Sequence, residues 1–397
     1  MTSPADASPA PTAPPAAARS GTGLARTPDG TAYWDPALYR AELELLFGRH
    51  WLCVAREEEL ARPGDFLTRT VGPEGLLFAR DGEGRLRGFY NLCRHRGTRV
   101  VPEASGTARR AFVCPYHAWT YDLSGRLVAA RHMEPREGFD RAEYGLYPIR
   151  VESRAGFVFA NLDERARPLA EALGPFFDRF RRFDFAELVR GAGRTYEVEA
   201  NWKIVVENFS ECYHCAPVHP TLNRLTPYTT GANDLTFHPA EGRSLAAGGY
   251  LAFAGDYRSM TRSGYTERPP LPGATDDDRA RVYYYVLFPN LLFSLHPDYL
   301  MIHRVWPTSP AHSRIENEFY FPRAVAAAAG FDPSDAVELW DEINRQDWAV
   351  CELAQAGAAS RRWSGGPYSD REAMVRDFDE FVVEELARSS AGRPPPR

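Results

Sequence analysis

Two short stretches of this chain pair a cysteine with a histidine, Cys93-Arg94-His95 and Cys114-Pro115-Tyr116-His117, with 18 residues between them. Gly97 follows the first and Pro115 sits inside the second, so each half reads as a turn between short β segments. Two turns, each offering a thiolate and an imidazole, can converge on one site. That ligand set suits a tetrahedral zinc, or a two-iron cluster with cysteine on one iron and histidine on the other. Zinc sites ordinarily pair like ligands within each half, so the mixed halves point to the two-iron cluster. Neutral imidazoles in place of two thiolates raise its potential, which suits an electron relay.

A second set of residues lies in NWKIVVENFSECYHCAPVHP, residues 201–220, where His214 and His219 stand five apart. On an unbroken helix they would diverge by about 140°. Pro217 stops the helix, so His214 can sit on a last turn while His219 returns from the segment that follows. Two histidines meeting this way, with one carboxylate, leave several positions of an iron open. Periodicity supplies the carboxylate. Over 336–357 the apolar stripe of Ala336, Leu339, Trp340, Ile343, Val350, Cys351 and Ala354 centres on Asp347. An aspartate there is costly unless it holds a metal or an arginine such as Arg304. Glu211, three residues before His214, is placed to accept the free N–H of a ligating imidazole. Glu207 is its rival for that role, and Asn208 is a polar group for the metal's side. Cys212, Cys215 and Cys351 read either as a redox or zinc site or as small buried residues.

The elements that must hold these groups follow from patterning. Residues 33–60 carry helical periodicity. A Gly- and Pro-punctuated block over about 60–163 reads as short strands, and 167–191 as short helices. Residues 194–200 read as a strand running into a helix over 201–212. Strands follow at 281–306 and 314–322, then a long helix at 334–356. The expected fold is α+β, with a small all-β domain ahead of a larger one.

Composition narrows the function classes. The chain has 397 residues, 44% hydrophobic and 25% charged, with a net charge of −6. No basic field points to nucleic acid, and no apolar run of about 18 residues points to a membrane span. The first twenty residues are rich in Pro, Ala, Ser and Thr and are expected to stay flexible. They lack the pattern of a secretory signal, which places the protein in the cytoplasm. Six cysteines make no disulfide framework. The only lysine is Lys203 among 47 basic residues, a sign of genomic bias.

With these motifs in view, the chain resembles the oxygenase (alpha) subunits of Rieske non-heme iron oxygenases, the ring-hydroxylating dioxygenase superfamily. The resemblance spans about 33–390 and rests on C-x-H…C-P-Y-H, N-W-K…E-N…E-C-Y-H…H-P and the late D-x-x-x-C-E. The run E-C-Y-H-C-x-x-x-H-P is similar to the branch containing glycine betaine, proline betaine and carnitine oxygenases. The resemblance implies a leader over 1–30 and a helical segment over 31–60 packing on the catalytic domain. It further implies a Rieske domain over 61–163 and a helix-grip catalytic domain, an antiparallel sheet around a long helix, over 164–390. It implies that Cys93, His95, Cys114 and His117 hold [2Fe-2S] and that His214, His219 and Asp347 hold Fe(II). Glu211 takes the bridging position, commonly Asp in the family.

The resemblance also implies electrons from NAD(P)H through a separate reductase or ferredoxin, since the chain has no dinucleotide fingerprint of its own. It implies a homotrimer, with transfer from the cluster of one chain to the iron of the next. The expected reaction is hydroxylation of a small organic substrate with O₂, with oxidative N-demethylation of a betaine-like quaternary ammonium compound preferred. Hydroxylation of an aromatic or natural-product intermediate is the second reading, and a non-catalytic electron carrier the third. Pocket walls are expected from Phe209, Tyr213, Phe293, His296, Tyr299 and His303, whose aromatic rings could cage a cation.

Overall fold

A computed structural model describes residues 24–133, 136–240 and 242–390. The flexible reading of the first twenty residues lies outside these. The leader expected through residue 30 nevertheless ends earlier. Arg26 bridges Pro367 and the Thr27 N–H donates to the Gly366 carbonyl at 2.9 Å, so residues 24–30 are tied to the far end of the chain.

The N-terminal helical segment is also shorter than its periodicity suggested. Helices Thr31–Trp34 and Pro36–Glu42 lead into a wide helical turn, Leu43–Phe47. Asp35 caps the second helix, its carboxylate accepting from the Ala37 and Leu38 N–H groups, and Pro36 fills the first position. The continuation Leu52–Arg56 is a strand, buried at every position and paired with Phe157–Asn161. The apolar run Leu52–Ala55 is too short to carry a period that separates strand from buried helix, which is why 52–56 read as helical.

That strand opens an antiparallel seven-stranded sheet in the order Leu52–Arg56, Phe157–Asn161, Pro148–Arg154, Leu86–Tyr90, Glu74–Arg80, Asp65–Val71 and Ser105–Thr107. A three-stranded sheet, Ala111–Val113, Thr120–Asp122 and Leu127–Ala129, stands beside it. The 18-residue gap between the Cys-His pairs includes the exposed three-residue strand Ser105–Thr107, which extends the sheet.

The second half forms another antiparallel seven-stranded sheet, ordered Leu188–Val198, His312–Pro322, Leu300–Ser309, Leu291–Leu295, Arg281–Leu287, Ala246–Ala252 and Ala232–Leu235. The long helix Ser334–Ala358 packs Ala336, Leu339, Trp340 and Ile343 against Met301, Phe319 and Phe321 of this sheet. The opposite face carries Tyr285 and Phe293, which meet Phe176, Phe180 and Phe185 from the short helical segments before it. Among the described residues no helix is long and apolar enough to cross a membrane.

Two polar contacts fix one sheet to the other. The Asn290 amide accepts from the Cys53 N–H at 2.9 Å and donates to the Cys53 carbonyl at 3.1 Å. The buried Arg304 guanidinium meets Glu59, Glu316 and Glu318 at 3.2, 3.2 and 2.6 Å. A buried guanidinium is tolerable only when its charge is matched this fully. Arg304 is therefore committed far from Asp347, and the arginine alternative for Asp347 fails.

Candidate metal centres and substrate cavity

The two Cys-His pairs adopt the same local fold. The Cys93 N–H donates to the Thr98 carbonyl at 2.8 Å, and the Gly97 N–H returns to the Cys93 carbonyl at 2.9 Å. In the second pair the Cys114 N–H donates to the Trp119 carbonyl at 2.8 Å, and the Ala118 N–H returns to the Cys114 carbonyl at 3.0 Å. Four residues after each cysteine the backbone is left-handed, at Gly97 (φ 70°) and Ala118 (φ 56°). Glycine adopts that conformation freely, whereas Ala118 is held in it by the turn. Each turn buries its cysteine and leaves its histidine exposed.

The His95 and His117 rings lie 4.6 Å apart, and His95 stacks on Trp119 at 4.9 Å. The Tyr121 hydroxyl accepts the Arg94 N–H at 3.0 Å and lies 3.4 Å from the Cys93 sulfur, so its own hydrogen is available to that sulfur. Trp119 and Tyr121 went unnoticed in the sequence, although both follow the second motif closely.

Among the described residues, the only set of three or more His, Cys, Asp or Glu ligand atoms all within 4.8 Å of one another is His214, His219 and Asp347. The Cys-His quartet is spread too widely for a single ion. Sulfurs together inside and imidazoles together outside fit two irons and disfavour one zinc.

The second centre is built around the helix Trp202–Phe209, capped by the Asn201 side chain, which accepts from the Lys203 N–H at 2.9 Å. The helix stops three residues short of the expected Cys212. One Glu211 carboxylate oxygen accepts the backbone N–H groups of Tyr213 and His214, and the other meets His214 Nδ1. A side chain that satisfies backbone donors in a tight turn competes with further helix, so His214 projects from a turn. A short helix, Cys215–Val218, then brings back His219.

His219 Nδ1 lies 2.7 Å from Gln346 Oε1. With Nδ1–H of each ring held by an oxygen, from Glu211 and from Gln346, both Nε2 atoms present lone pairs. They converge on one oxygen of Asp347, His214 at 3.3 Å and His219 at 2.8 Å. A carboxylate this close to two imidazole nitrogens needs positive charge between them, which a proton on Nε2 supplies in the metal-free centre and a metal ion displacing that proton would supply in its place. Burial disfavours an imidazolium at His214, yet Asp347 and Glu211 raise its pKa to about 10. Burial would raise Asp347, but the two imidazoles hold its carboxyl below the usual range. Two neutral imidazoles, one carboxylate and an adjoining cavity are the donor set of an iron centre with open positions. Gln346 was missed by sequence reasoning; its signal is its position beside Asp347 on the long helix.

Glu207, the rival carboxylate, does not reach His214. It lies half-buried against Asp379 and Tyr33, near the Lys203–Glu42 ion pair. Burial pushes its carboxyl up to about 7 and raises that of Asp379 well above its ordinary value.

A cavity of about 240 Å³ opens beside the three ligands. Asn208, Phe209, Tyr213 and His303 line it as expected; Phe293, His296 and Tyr299 do not. Strand alternation explains Phe293. It pairs with Tyr285 on the face away from the cavity, whereas Tyr284 and Val286 face inward. His296 stacks on Tyr299 at 4.1 Å, and the Tyr299 hydroxyl donates to the Met260 carbonyl and accepts from Trp340, so both belong to the packed core. Tyr228, Tyr250, Trp340 and Trp348 complete the aromatic wall. Cys212 and Cys215 also border the cavity, and Cys351 is buried in the core.

Comparisons with known proteins agree with this geometry. Residues 50–148 match the Rieske [2Fe-2S] domain, and residues 185–388 match the ring hydroxylating alpha subunit catalytic domain. The chain is 40% identical over 190 residues to the carnitine monooxygenase oxygenase subunit of Acinetobacter pittii, covering 47% of this chain and 51% of that protein. It thus spans about half the length of that relative. It is 29% identical over 377 residues to the glycine betaine monooxygenase oxygenase subunit of Pseudomonas aeruginosa, covering 89% of this chain and 87% of the relative. The crystal structure of a quaternary ammonium Rieske monooxygenase superposes with a TM-score of 0.78 at 26% identity, covering 95% of this chain and 100% of that one.

Proposed function

The chain belongs to the ring-hydroxylating alpha-subunit family, with a Rieske [2Fe-2S] domain ahead of its catalytic domain, and from that membership we propose that it is the oxygenase component of a quaternary ammonium monooxygenase. The observation that carries this reading is the convergence of His214 and His219 on Asp347 beside an aromatic cavity. A bare electron carrier has no use for such a centre. Cys93, His95, Cys114 and His117 hold the cluster, and His214, His219 and Asp347 hold the iron. When bound, these groups supply a stored electron and dioxygen activation for attack on a C–H bond.

The chain's own residues do the rest. Glu211 and Gln346 fix the orientation of the two imidazoles. Phe209, Tyr284, Trp340 and Trp348 exclude water and offer aromatic faces to a trimethylammonium group. Attack on one of its methyl groups would release formaldehyde, which makes the reaction an N-demethylation. Asn208 stands at the cavity wall within reach of the iron's side.

The partners follow from the same reading. A separate reductase or ferredoxin, drawing on NAD(P)H, delivers electrons to the cluster. None of the four cluster residues lines the cavity. Transfer therefore runs between copies of this chain, from His117 of one to Glu211 and His214 of the next, in a homotrimer located in the cytoplasm. The quaternary ammonium relative is described in connection with inter-subunit electron transfer, which supports this arrangement.

The test is reconstitution with iron, sulfide and a Rieske-type reductase, followed by a screen of quaternary ammonium compounds for NADH-coupled O₂ uptake and formaldehyde. About three irons per chain and formaldehyde release are expected. Zinc in place of iron, or about two irons per chain, would refute the oxygenase reading.

A further inference from the structure

Three side chains lining the cavity, Tyr284, His303 and Trp348, each hold a buried polar atom with no hydrogen-bond partner among the described residues. A buried donor or acceptor left unmet is costly, and such atoms in a binding cavity await a ligand group or water. His303 is the informative one, because its neighbours fix which way its ring is protonated.

The fixing chain starts at the Ile302 carbonyl, which can only accept. It takes Asn317 Nδ2–H at 3.1 Å, so Asn317 Oδ1 faces onward as an acceptor. That oxygen takes Asn344 Nδ2–H at 3.3 Å, which turns Asn344 Oδ1 toward His303 Nε2 at 3.2 Å. Tyr196 agrees with this polarity: its hydroxyl donates to Asp341 at 2.8 Å, leaving its lone pairs to Asn344 Nδ2. Nε2 of His303 must therefore carry the hydrogen, and Nδ1 is a bare acceptor. His303 is 2% exposed and, among the described residues, no carboxylate hydrogen-bonds to it; burial outweighs the Asn344 contact and the Asp347 charge and holds its pKa down to about 4, so the ring stays neutral.

We propose that His303 Nδ1 is a fixed hydrogen-bond acceptor in the substrate cavity and that the preferred substrate carries a hydroxyl group that donates to it. The inference rests on the quaternary ammonium reading and sharpens it. A trimethylammonium group has no N–H to donate, and a carboxylate oxygen would face Nδ1 lone pair to lone pair. A hydroxyl meets both needs of this corner, because Trp348, whose ring lies 6.3 Å from that of His303, has an unpartnered N–H for the hydroxyl oxygen. His303 thus becomes a specificity-determining residue that separates hydroxylated quaternary amines from their deoxy counterparts.

The experiment is calorimetric binding to the iron-loaded protein of two pairs of compounds, each pair differing by one hydroxyl. The pairs are L-carnitine with γ-butyrobetaine, and choline with ethyltrimethylammonium. The hydroxylated member of at least one pair should bind about tenfold more tightly. His303→Phe should bring that ratio to about one, read as the convergence of the two affinities within each pair. His303→Gln, whose amide can donate to Asn344 and offer an oxygen to the cavity, should recover part of the ratio. Equal affinities within both pairs, or a ratio that survives in His303→Phe, would mean that Nδ1 is met by water alone, and would overturn this inference by itself. Failure of all four compounds to bind would overturn the quaternary ammonium reading and this inference with it.

Discussion

The two candidate centres are built in opposite ways. The Cys-His quartet comes from two copies of one local turn, each closed by its own backbone hydrogen bonds and presenting its cysteine inward and its histidine outward. The His214–His219–Asp347 centre has no such autonomy. Its aspartate arrives on a helix more than a hundred residues downstream, and its histidines are aimed by Glu211 and Gln346. The quartet is thus closed locally, with its histidines at the surface of the chain. The triad is assembled by tertiary packing and faces a cavity.

The sharpest way to break the comparison is to disable one centre and watch the other. Asp347→Ala should abolish turnover and lower bound iron from about three to about two per chain, while the visible absorbance of the cluster persists. Loss of both signals would show that the centres are not independent. Cys114→Ser should do the converse, bleaching the cluster and sparing the mononuclear iron, as metal analysis with optical spectroscopy would read.

A smaller effect tests the link between them. Glu211→Gln should keep all iron yet slow single-turnover oxidation of the cluster roughly 10–100-fold, the usual range for a group that orients a metal ligand. An unchanged rate would remove Glu211 from the bridge. On the cluster side, Tyr121→Phe removes a hydrogen available to the Cys93 sulfur and should lower the reduction potential. The expected drop is roughly 40 mV, the equivalent of a hydrogen bond of about 1 kcal/mol for one electron. A redox titration of the isolated chain measures it.

The mildest prediction concerns Glu207, four residues from Glu211 and outside both centres. Burial raises its carboxyl to about 7 in the folded protein, against 4.5 for an unperturbed carboxyl. The folded state therefore binds the proton more tightly than the unfolded state. Stability falls as pH rises from about 4.5 to about 7 and levels off above that. Glu207→Gln should flatten this dependence, with a gain in Tm of roughly 2–4 °C at pH 8 for each 1 kcal/mol recovered. Parallel Tm profiles for the variant and the parent would rule the account out.

Much of this was legible in the sequence because the signals are local. Cys-x-His and Cys-Pro-Tyr-His mark candidate ligands by residue type alone, and the apolar stripe of the long helix picked out Asp347, which the structure places beside His214 and His219. The same periodicity misread residues 52–56, where the four apolar residues before Arg56 fit either structure. It also carried the helix from Asn201 too far, since the Glu211 side chain ends it by taking backbone donors that further helix would have used.

What the sequence determined by itself is the seven candidate ligand positions and the order of the two domains, both written in residue type and short-range spacing. Only the tertiary structure decided that Glu207 pairs with Asp379 and leaves His214 to Glu211, that Gln346 aims His219, and that Phe293, His296 and Tyr299 belong to the core. It also decided which nitrogen of His303 is bare. Each of these depends on which face a strand or helix turns to a distant neighbour, and the polarity of a buried hydrogen-bond chain is set by its far end.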